Sequence, residues 1–181
     1  QPPMTALHQL LDVDEKFLLG WPQLDHYRQS RAAQPLPNWG WLQSPATGLD
    51  PDWPSATGPR IFGYLQRSHP AYDAIVSCLQ DGSWASLLYV AGASDGEVKS
   101  RSGARLQIVN RPVDLSKAFA QAQMLLGYGG PGTVYAALHA ALPMVLLPIQ
   151  VENLLFARQI VATGAGIMLL PHEVDQTLGK A

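Results

Sequence analysis

The chain has 181 residues, 47% of them hydrophobic, which is enough to bury the core of one globular domain and part of a second element. Its 12 basic and 14 acidic residues leave a net charge of −2, and this lack of a basic excess excludes nucleic acid as a partner. The single cysteine, Cys78, excludes a disulfide framework and a cysteine-rich metal centre, and its apolar neighbours predict a buried thiol.

The first 57 residues are rich in proline, tryptophan and turn-forming residues. Proline removes backbone donors and restricts its neighbour, so this segment predicts no long regular element, with one short strand at residues 17–19. Its tryptophans either stack on a sugar or anchor a linker to a domain, and the second interpretation is favoured. They are Trp21, Trp39, Trp41 and Trp53. We interpret residues 1–57 as a domain edge with a linker, and residues 58–181 as a separate domain.

From residue 58 onward, short apolar runs alternate with helix-length segments. Strands are predicted at residues 60–65, 84–91, 106–109, 124–126, 143–147 and 167–170. Helices are predicted at 71–80, 115–122, 134–140 and 154–162, with another beginning at Pro171. Lys99, Arg101 and Arg105 are predicted to lie in a solvated loop. This alternation predicts an α/β fold, with a Rossmann-like parallel sheet covered by helices on both faces.

The hydropathy and the chain ends predict the localisation of the protein and the position of its natural termini. No stretch reaches the ~18 apolar residues of a membrane span, and the first residues lack the pattern of a signal peptide, so we expect a cytoplasmic protein without a transmembrane segment. We also expect the natural N-terminus to precede Gln1. The last predicted strand needs a covering helix, so we expect the C-terminus to be truncated at Ala181.

A glycine-rich turn follows the strand at 124–126 and leads directly into a helix. It reads Gly127-Tyr128-Gly129-Gly130-Pro131-Gly132-Thr133. Glycines allow close approach of a ligand to the backbone, and the first amides of the following helix point at that ligand. The turn therefore predicts an anion site that holds a phosphate without lysine or metal.

Three kinds of nucleotide site compete for this turn. A P-loop requires lysine before Thr133, where this chain has Gly132, so that reading is excluded. The glycines of a dinucleotide fingerprint are matched by Gly127, Gly129 and Gly132, and Glu152 lies at the spacing of its acidic residue. That motif normally opens the first βα unit of a domain, whereas several predicted units precede this turn. The third possibility is a nucleotide-sugar site.

Residues 127–165 resemble the donor-binding signature of UDP-glycosyltransferases with the GT-B fold. The signature contains His-Gly-Gly-x-Gly-Thr, an alanine-rich helix, a Gly-x-Pro turn, an apolar strand, proline, and then an acid followed by glutamine. The matching residues here are Tyr128 to Thr133, Ala136-Ala137, Ala141-Leu142-Pro143, Pro148 and Glu152-Asn153. Weaker similarity extends over residues 17–170, so the resemblance implies the C-terminal half of a GT-B enzyme.

The resemblance assigns roles by position. Tyr128, Gly129, Gly130, Pro131, Gly132 and Thr133 are expected to bind the donor diphosphate. Glu152 and Asn153 are expected to bind donor-sugar hydroxyls, and Arg111, Pro112 and Val113 to line the base and ribose site. The implied reaction is inverting transfer from a nucleotide sugar, with UDP-sugar favoured, to an acceptor hydroxyl. No cofactor or metal is expected. The resemblance places the catalytic base in an N-terminal acceptor domain, so no catalytic residue is expected in this fragment. That acceptor domain is the expected protein partner of this chain.

Four positions depart from the family pattern. Tyr128 replaces histidine, Asn153 replaces glutamine, Ala141 replaces glycine, and Asn110 stands where many relatives have an aromatic residue. Tyr128 either contacts phosphate or packs against the sheet. These changes leave two other functions open. One is half of a nucleotide-sugar epimerase, and the other is a non-catalytic nucleotide-binding module with a decayed site.

Overall fold

The computed structural model describes residues 5–7, 9, 13–33, 35–42 and 47–178, without the side chains of 175–178. The chain divides into two compact units, residues 1–42 and 43–181. The predicted domain ranges run through residues 1–4, 8, 10–12, 34, 43–46 and 179–181, which lie outside the described residues. The predicted boundary at 57/58 falls just before the first strand of the sheet, whereas the compact units divide earlier.

The described residues of the first unit contain little regular structure. Its named element is a short 3₁₀ helix, Pro22–Leu24. The predicted strand at residues 17–19 is reduced to isolated bridges, in which Leu18 pairs with Asn38 and Gly20 with Gly40. Beside them the rings of Phe17 and Trp39 stack at 4.1 Å. The irregular backbone agrees with the prediction from its proline and glycine content.

The second unit is built on one six-stranded parallel sheet. Its strands are β1 (Arg60–Gln66), β2 (Ala85–Ala91), β3 (Leu106–Val109), β4 (Met124–Gly127), β5 (Met144–Leu146) and β6 (Gly166–Met168). The spatial order is β3-β2-β1-β4-β5-β6, and every neighbouring pair is parallel. All six strands were predicted from the apolar runs, and the Rossmann-like fold class is confirmed.

Helices connect the strands and cover both faces of the sheet. They are α1 (Tyr72–Asp81), α2 (Asp95–Arg101), α3 (Leu115–Phe119), α4 (Pro131–His139), α5 (Val151–Ala162) and α6 (Pro171–Leu178). On one face, Ile61 and Leu65 of β1 share a buried cluster with Ile75 of α1 and Val174 of α6. On the other face, Phe62 makes an edge contact with Phe119 of α3 at 5.5 Å. Alternate residues of β1 therefore bury against helices on opposite faces.

Two local predictions are wrong. The basic run was predicted as a loop, but Lys99 and Arg101 lie in the last turn of α2. Ser94 caps the helix, since its side chain accepts a hydrogen bond from the Glu97 amide at 3.2 Å. Acidic residues in the first turn and basic residues in the last turn also interact favourably with the helix dipole. Cys78 was predicted to be buried, but it lies on α1 at the edge of the core and is only partly covered.

Within the second unit, residues 49–53 pack against residues of the sheet and its helices. The Leu49 amide donates to the Pro112 carbonyl and the Asp114 amide donates to the Leu49 carbonyl, both at 2.9 Å. Lys117 pairs with Asp50, and the Arg60 guanidinium lies 5.1 Å from the Trp53 ring centroid. Trp53 therefore acts as an anchor of the kind predicted for the linker tryptophans.

Within the part of the chain that the structure describes, no helix has the length and apolar character needed to cross a membrane.

Candidate functional site

The site lies where the direction of the sheet connections reverses. From β1 the chain proceeds to β2 and β3 on one side, and it then returns to β4, β5 and β6 on the other. In α/β sheets, ligands bind outside the carboxyl ends of the strands at such a switch point. Here Tyr64 near the end of β1 lies opposite Gly127 at the end of β4. A small recess with a volume of about 10 Å³ opens beside them, lined by Tyr64, Leu125, Gly127, Tyr128, Gly129, Gly130, Thr133, Val134 and Leu146.

The glycine turn ends in the N-terminus of α4, which carries no side-chain cap. Gly130 is the N-cap and Pro131 the first helical residue, three positions earlier than predicted. The first helical hydrogen bond runs from the Val134 amide to the Gly130 carbonyl at 3.1 Å. The amides of Gly132 and Thr133 precede that bond, so they are donors without a partner in the helix ladder. Together with the helix dipole, such donors are chemically suited to an anion.

Hydrogen bonds hold the turn in place from behind. The Leu147 amide donates to the Gly127 carbonyl at 2.8 Å, and the Asn153 side-chain amide donates to the Gly129 carbonyl at 3.4 Å. Gly129 has φ +88°, a left-handed conformation that glycine adopts without steric cost. Two carbonyls of the turn are thus satisfied by the protein itself, and the turn is held in one conformation.

Tyr128 packs closely over the turn. Its hydroxyl oxygen lies 3.0 Å from the position that a Cβ on Gly130 would occupy. Its ring also meets the edge of Tyr64 at a centroid distance of 5.1 Å. Of the two roles considered for Tyr128, packing within the protein is therefore observed. Contact with phosphate remains a prediction.

The two residues expected to bind the donor sugar lie in different environments. Glu152 is exposed in the first turn of α5, which begins at Val151, three residues before the predicted start. Asn153 is buried, with 8% of its surface exposed, and its side-chain amide is engaged with Gly129. Glu152 is therefore an exposed residue, whereas the side-chain amide of its neighbour Asn153 contacts the turn.

The residues expected at the base and ribose site follow β3. Arg111 and Pro112 are exposed, but Val113 is buried and pairs with Leu49. The Asn110 side-chain amide donates to the Asp95 carboxylate at 2.7 Å, which joins this loop to the start of α2. The structure therefore offers Arg111 and Pro112 to a ligand at the carboxyl edge of the sheet and places the Val113 side chain in the core.

His69 was not identified from the sequence. It is buried, with 3% of its surface exposed, and its Nδ1 accepts a hydrogen bond from the Ala71 amide at 3.1 Å. Nε2 is then the protonated nitrogen, and it donates to the Leu147 carbonyl at 3.0 Å. Burial lowers the pKa of His69, against the opposing effect of the Leu147 hydrogen bond, so the ring is held neutral. The Leu147 amide donates to the Gly127 carbonyl, so His69 supports the glycine turn indirectly, through Leu147.

Metal-binding groups are not brought together in the described ranges. No three side chains of His, Cys, Asp or Glu within them are close enough to hold an ion.

Together, these features define a Rossmann-like domain with an uncapped glycine turn at the switch point of its sheet. Residues 104–179 match the family described as erythromycin biosynthesis protein CIII-like, C-terminal domain. A zeaxanthin glucosyltransferase from Pantoea ananas is 28% identical over 174 residues, which are 91% of this chain and 40% of that protein. A sterol 3-beta-glucosyltransferase from Yarrowia lipolytica is 32% identical over 103 residues, 57% of this chain and 7% of that protein.

Solved structures show the same fold. The glycotransferase of kitacinnamycin superposes with a TM-score of 0.71 at 18% identity, covering 92% of this chain and 46% of that one. A spinosyn rhamnosyltransferase complexed with thymidine diphosphate gives a TM-score of 0.61 at 20% identity, covering 88% and 43%. The chain thus spans less than half the length of these proteins. The chain is thus similar to the C-terminal part of glycosyltransferases, as the resemblance stated from the sequence implies, and it shares their fold.

Proposed function

We propose that this domain binds a nucleotide sugar through its diphosphate at the glycine turn. The observation that carries the proposal is the uncapped N-terminus of α4, with the Gly132 and Thr133 amides ahead of the first helical bond, at the switch point of the sheet. The carbonyls of Gly127 and Gly129 already accept hydrogen bonds from Leu147 and Asn153, and the free amides at the helix start are donors suited to an anion.

The remaining expected contacts of the donor follow neighbouring strands at the carboxyl edge of the sheet. The exposed Glu152 carboxylate accepts hydrogen bonds from sugar hydroxyls, and Arg111 with Pro112 contacts the base and ribose. One relative is described as UDP-sugar-dependent, and several of the similar structures hold thymidine diphosphate, which supports a pyrimidine nucleotide.

The chemical role follows from charge. In glycosyl transfer the departing nucleoside diphosphate gains negative charge, and amides fixed at a helix N-terminus stabilise that charge without a metal. We propose inverting transfer to an acceptor hydroxyl. The base and the acceptor pocket are assigned to an N-terminal acceptor domain, so the isolated chain is expected to bind donor without transferring sugar.

A non-catalytic nucleotide-binding module is the second candidate. It is favoured by Asn153, whose amide is occupied by the Gly129 carbonyl instead of being presented to a sugar. Such a module binds the nucleoside diphosphate and its sugar conjugate equally well, whereas a donor site for transfer distinguishes them through Glu152.

Thermal-shift measurements with UDP, dTDP, GDP, NAD and UDP-glucose test the proposal. A ligand at 100 times its dissociation constant adds about 2.7 kcal/mol to the free energy of unfolding, so millimolar ligand reveals even weak binding. We expect UDP or dTDP to raise the melting temperature. A response to NAD alone would identify a dinucleotide site and overturn the proposal.

A charge-reversal variant localises the response. A side chain at Gly132 meets open space, so Gly132→Glu preserves the fold while placing a carboxylate beside the anion site. Gly103→Glu is the matched control, because Gly103 also faces open space and lies outside the site. We expect only Gly132→Glu to abolish the UDP response. Sugar transfer by the unmodified chain alone would refute the assignment of the base to another domain.

A further inference from the structure

Residues 48–58 form a strap that precedes strand β1 and belongs to the second unit. Near the start of the strap, Leu49 is bonded in both directions to the loop that follows β3. The Leu49 amide donates to the Pro112 carbonyl, and the Asp114 amide donates to the Leu49 carbonyl, both at 2.9 Å. Leu49 therefore pairs with this loop as one strand residue pairs with another.

Gly48 allows the strap to approach this loop closely. Its φ of +130° lies in the region that glycine favours. A Cβ at this position would lie 2.6 Å from the carbonyl carbon of Val113 and 2.8 Å from the amide nitrogen of Asp114. Both atoms belong to the backbone, so no side-chain rotation relieves the contact. The strap can therefore stay on the loop only with glycine at this position.

The strap holds the middle of a loop whose two ends are fixed by other contacts. At the β3 end, the Asn110 side-chain amide donates to the Asp95 carboxylate at 2.7 Å. At the other end, the side chain of Asp114 caps the N-terminus of α3. Between these ends Arg111 and Pro112 are exposed, and the strap supplies the donor to the Pro112 carbonyl. The backbone that carries the exposed pair is therefore fixed by the strap.

We propose that Gly48 and Leu49 are positioning residues, which hold the loop after β3 in the conformation in which Arg111 and Pro112 meet the nucleoside. A loop that is already ordered loses less conformational entropy when a ligand binds, so the strap favours binding without touching the ligand. This inference rests on the proposed function, because it concerns the nucleoside contacts of the same donor site. It makes nucleoside recognition depend on a segment that lies outside the alternating strands and helices of the sheet.

Gly48→Ala tests the proposal, because the added methyl group forces the strap off the loop. Gly58→Ala is the matched control at the opposite end of the strap. Gly58 has φ +135°, and a Cβ there would lie 2.5 Å from the Ser83 carbonyl oxygen. Both variants introduce a methyl group, an unfavourable backbone conformation and a backbone clash, but only Gly48→Ala acts on the loop after β3. Leu49→Ala keeps both backbone hydrogen bonds and is the milder second variant, expected to change binding in the same direction by a smaller factor.

Comparing two ligands separates positioning from a general loss of stability. The affinities for UDP and for inorganic pyrophosphate are measured by calorimetric or NMR titration, since pyrophosphate lacks the base and ribose. We expect Gly48→Ala to weaken UDP binding by roughly two- to tenfold, the cost of ordering a loop side chain on binding, and to leave pyrophosphate binding unchanged. Gly58→Ala should leave both affinities unchanged.

Amide hydrogen exchange gives a second readout that needs no ligand. In Gly48→Ala the Asp114 amide should exchange several-fold faster than in the original chain, because it loses the Leu49 carbonyl as its acceptor. In Gly58→Ala the Asp114 amide should exchange at its original rate.

Other outcomes overturn the inference in distinguishable ways. If the Asp114 amide stays protected in Gly48→Ala, or if pyrophosphate binding falls as much as UDP binding, the positioning role is wrong while the diphosphate site stands. Equal losses of UDP binding in Gly48→Ala and Gly58→Ala would also refute it, as would an unchanged UDP affinity of Leu49→Ala if Gly48→Ala does not fold. If the unmodified chain binds neither UDP nor pyrophosphate, the proposed function fails and this inference fails with it.

Discussion

The side-chain amide of Asn153, in the first turn of α5, donates a hydrogen bond to the carbonyl of Gly129 in the turn before α4. The contact joins two consecutive βα units at their carboxyl ends. It also holds Gly129 in its left-handed conformation and brings the start of α5 next to the start of α4. A position expected to recognise sugar therefore shapes the phosphate turn.

Replacing Asn153 with alanine is expected to lower the free energy of unfolding by about 1–2 kcal/mol, because a buried carbonyl loses its partner. UDP binding should weaken as well, since Gly129 is no longer fixed. Urea denaturation and UDP titration measure the two effects. The neighbouring Glu152→Gln variant is the comparison: its stability should stay within about 0.5 kcal/mol, while its preference for UDP-sugar over UDP declines. Equal stability of Asn153→Ala and the original chain would contradict this role.

Replacing Gly130 with alanine is expected to displace Tyr128. A Cβ at this position would lie 3.0 Å from the phenol oxygen and 3.1 and 3.2 Å from ring carbons, closer than ordinary van der Waals contact. The ring end can move, so we expect stability to change by less than about 1 kcal/mol while UDP binding falls several-fold. In a Tyr128→Ala background the same substitution should have no further effect on binding. A binding loss that persists in that background would point to the turn backbone instead.

Replacing Ala141 with glycine is expected to stabilise the protein. Ala141 has φ +54°, a left-handed conformation, at the end of the turn that follows α4. That conformation costs a residue with a Cβ about 1–2 kcal/mol, whereas glycine adds about 0.5–1 kcal/mol of backbone entropy loss. We expect a net gain of roughly 0.5–1 kcal/mol in urea denaturation. Ala136→Gly, inside α4, serves as the opposite case and should destabilise by about 1 kcal/mol.

The buried His69 is expected to make stability sensitive to mild acid. Its folded-state pKa is lowered, so the unfolded chain binds a proton first as the pH falls. The contribution of His69 is therefore complete above the ordinary histidine pKa of about 6.5 and is lost as the pH falls through the lower folded value. Urea denaturation between pH 8 and pH 5 measures the slope. His69→Gln should be less stable at pH 8 and should flatten this slope, whereas an unchanged slope would show that another group controls it.

The strands could be predicted from sequence because their apolar runs are continuous and separated by helix-length segments. Helix starts were harder to predict. Both α4 and α5 begin three residues earlier than expected, at Pro131 and Val151, because their first turns contain polar, glycine or proline residues instead of a periodic apolar pattern. The helix α2 was missed for a related reason: it buries no residue and depends on its Ser94 cap.

The glycine turn could be located from sequence, but its supports could not. The hydrogen bonds from Asn153 and Leu147, and the contact between Leu147 and His69, join residues that are distant in the chain. The packing of Tyr128 over Gly130 depends on a side-chain rotamer that no spacing specifies. A local motif therefore located the turn, whereas the contacts that support the turn are brought together only by the fold.

The chain of hydrogen bonds from His69 through Leu147 to Gly127 has a consequence for protein engineering. These hydrogen bonds join the loops after β1, β4 and β5, so the glycine turn is not expected to keep its conformation when it is moved alone to another protein. A graft of residues 127–133 onto another scaffold would bring the glycines without the imidazole and the Asn153 amide that hold them. The smallest transferable unit is the group of three βα loops, and insertions that lengthen any one of them would disturb the other two.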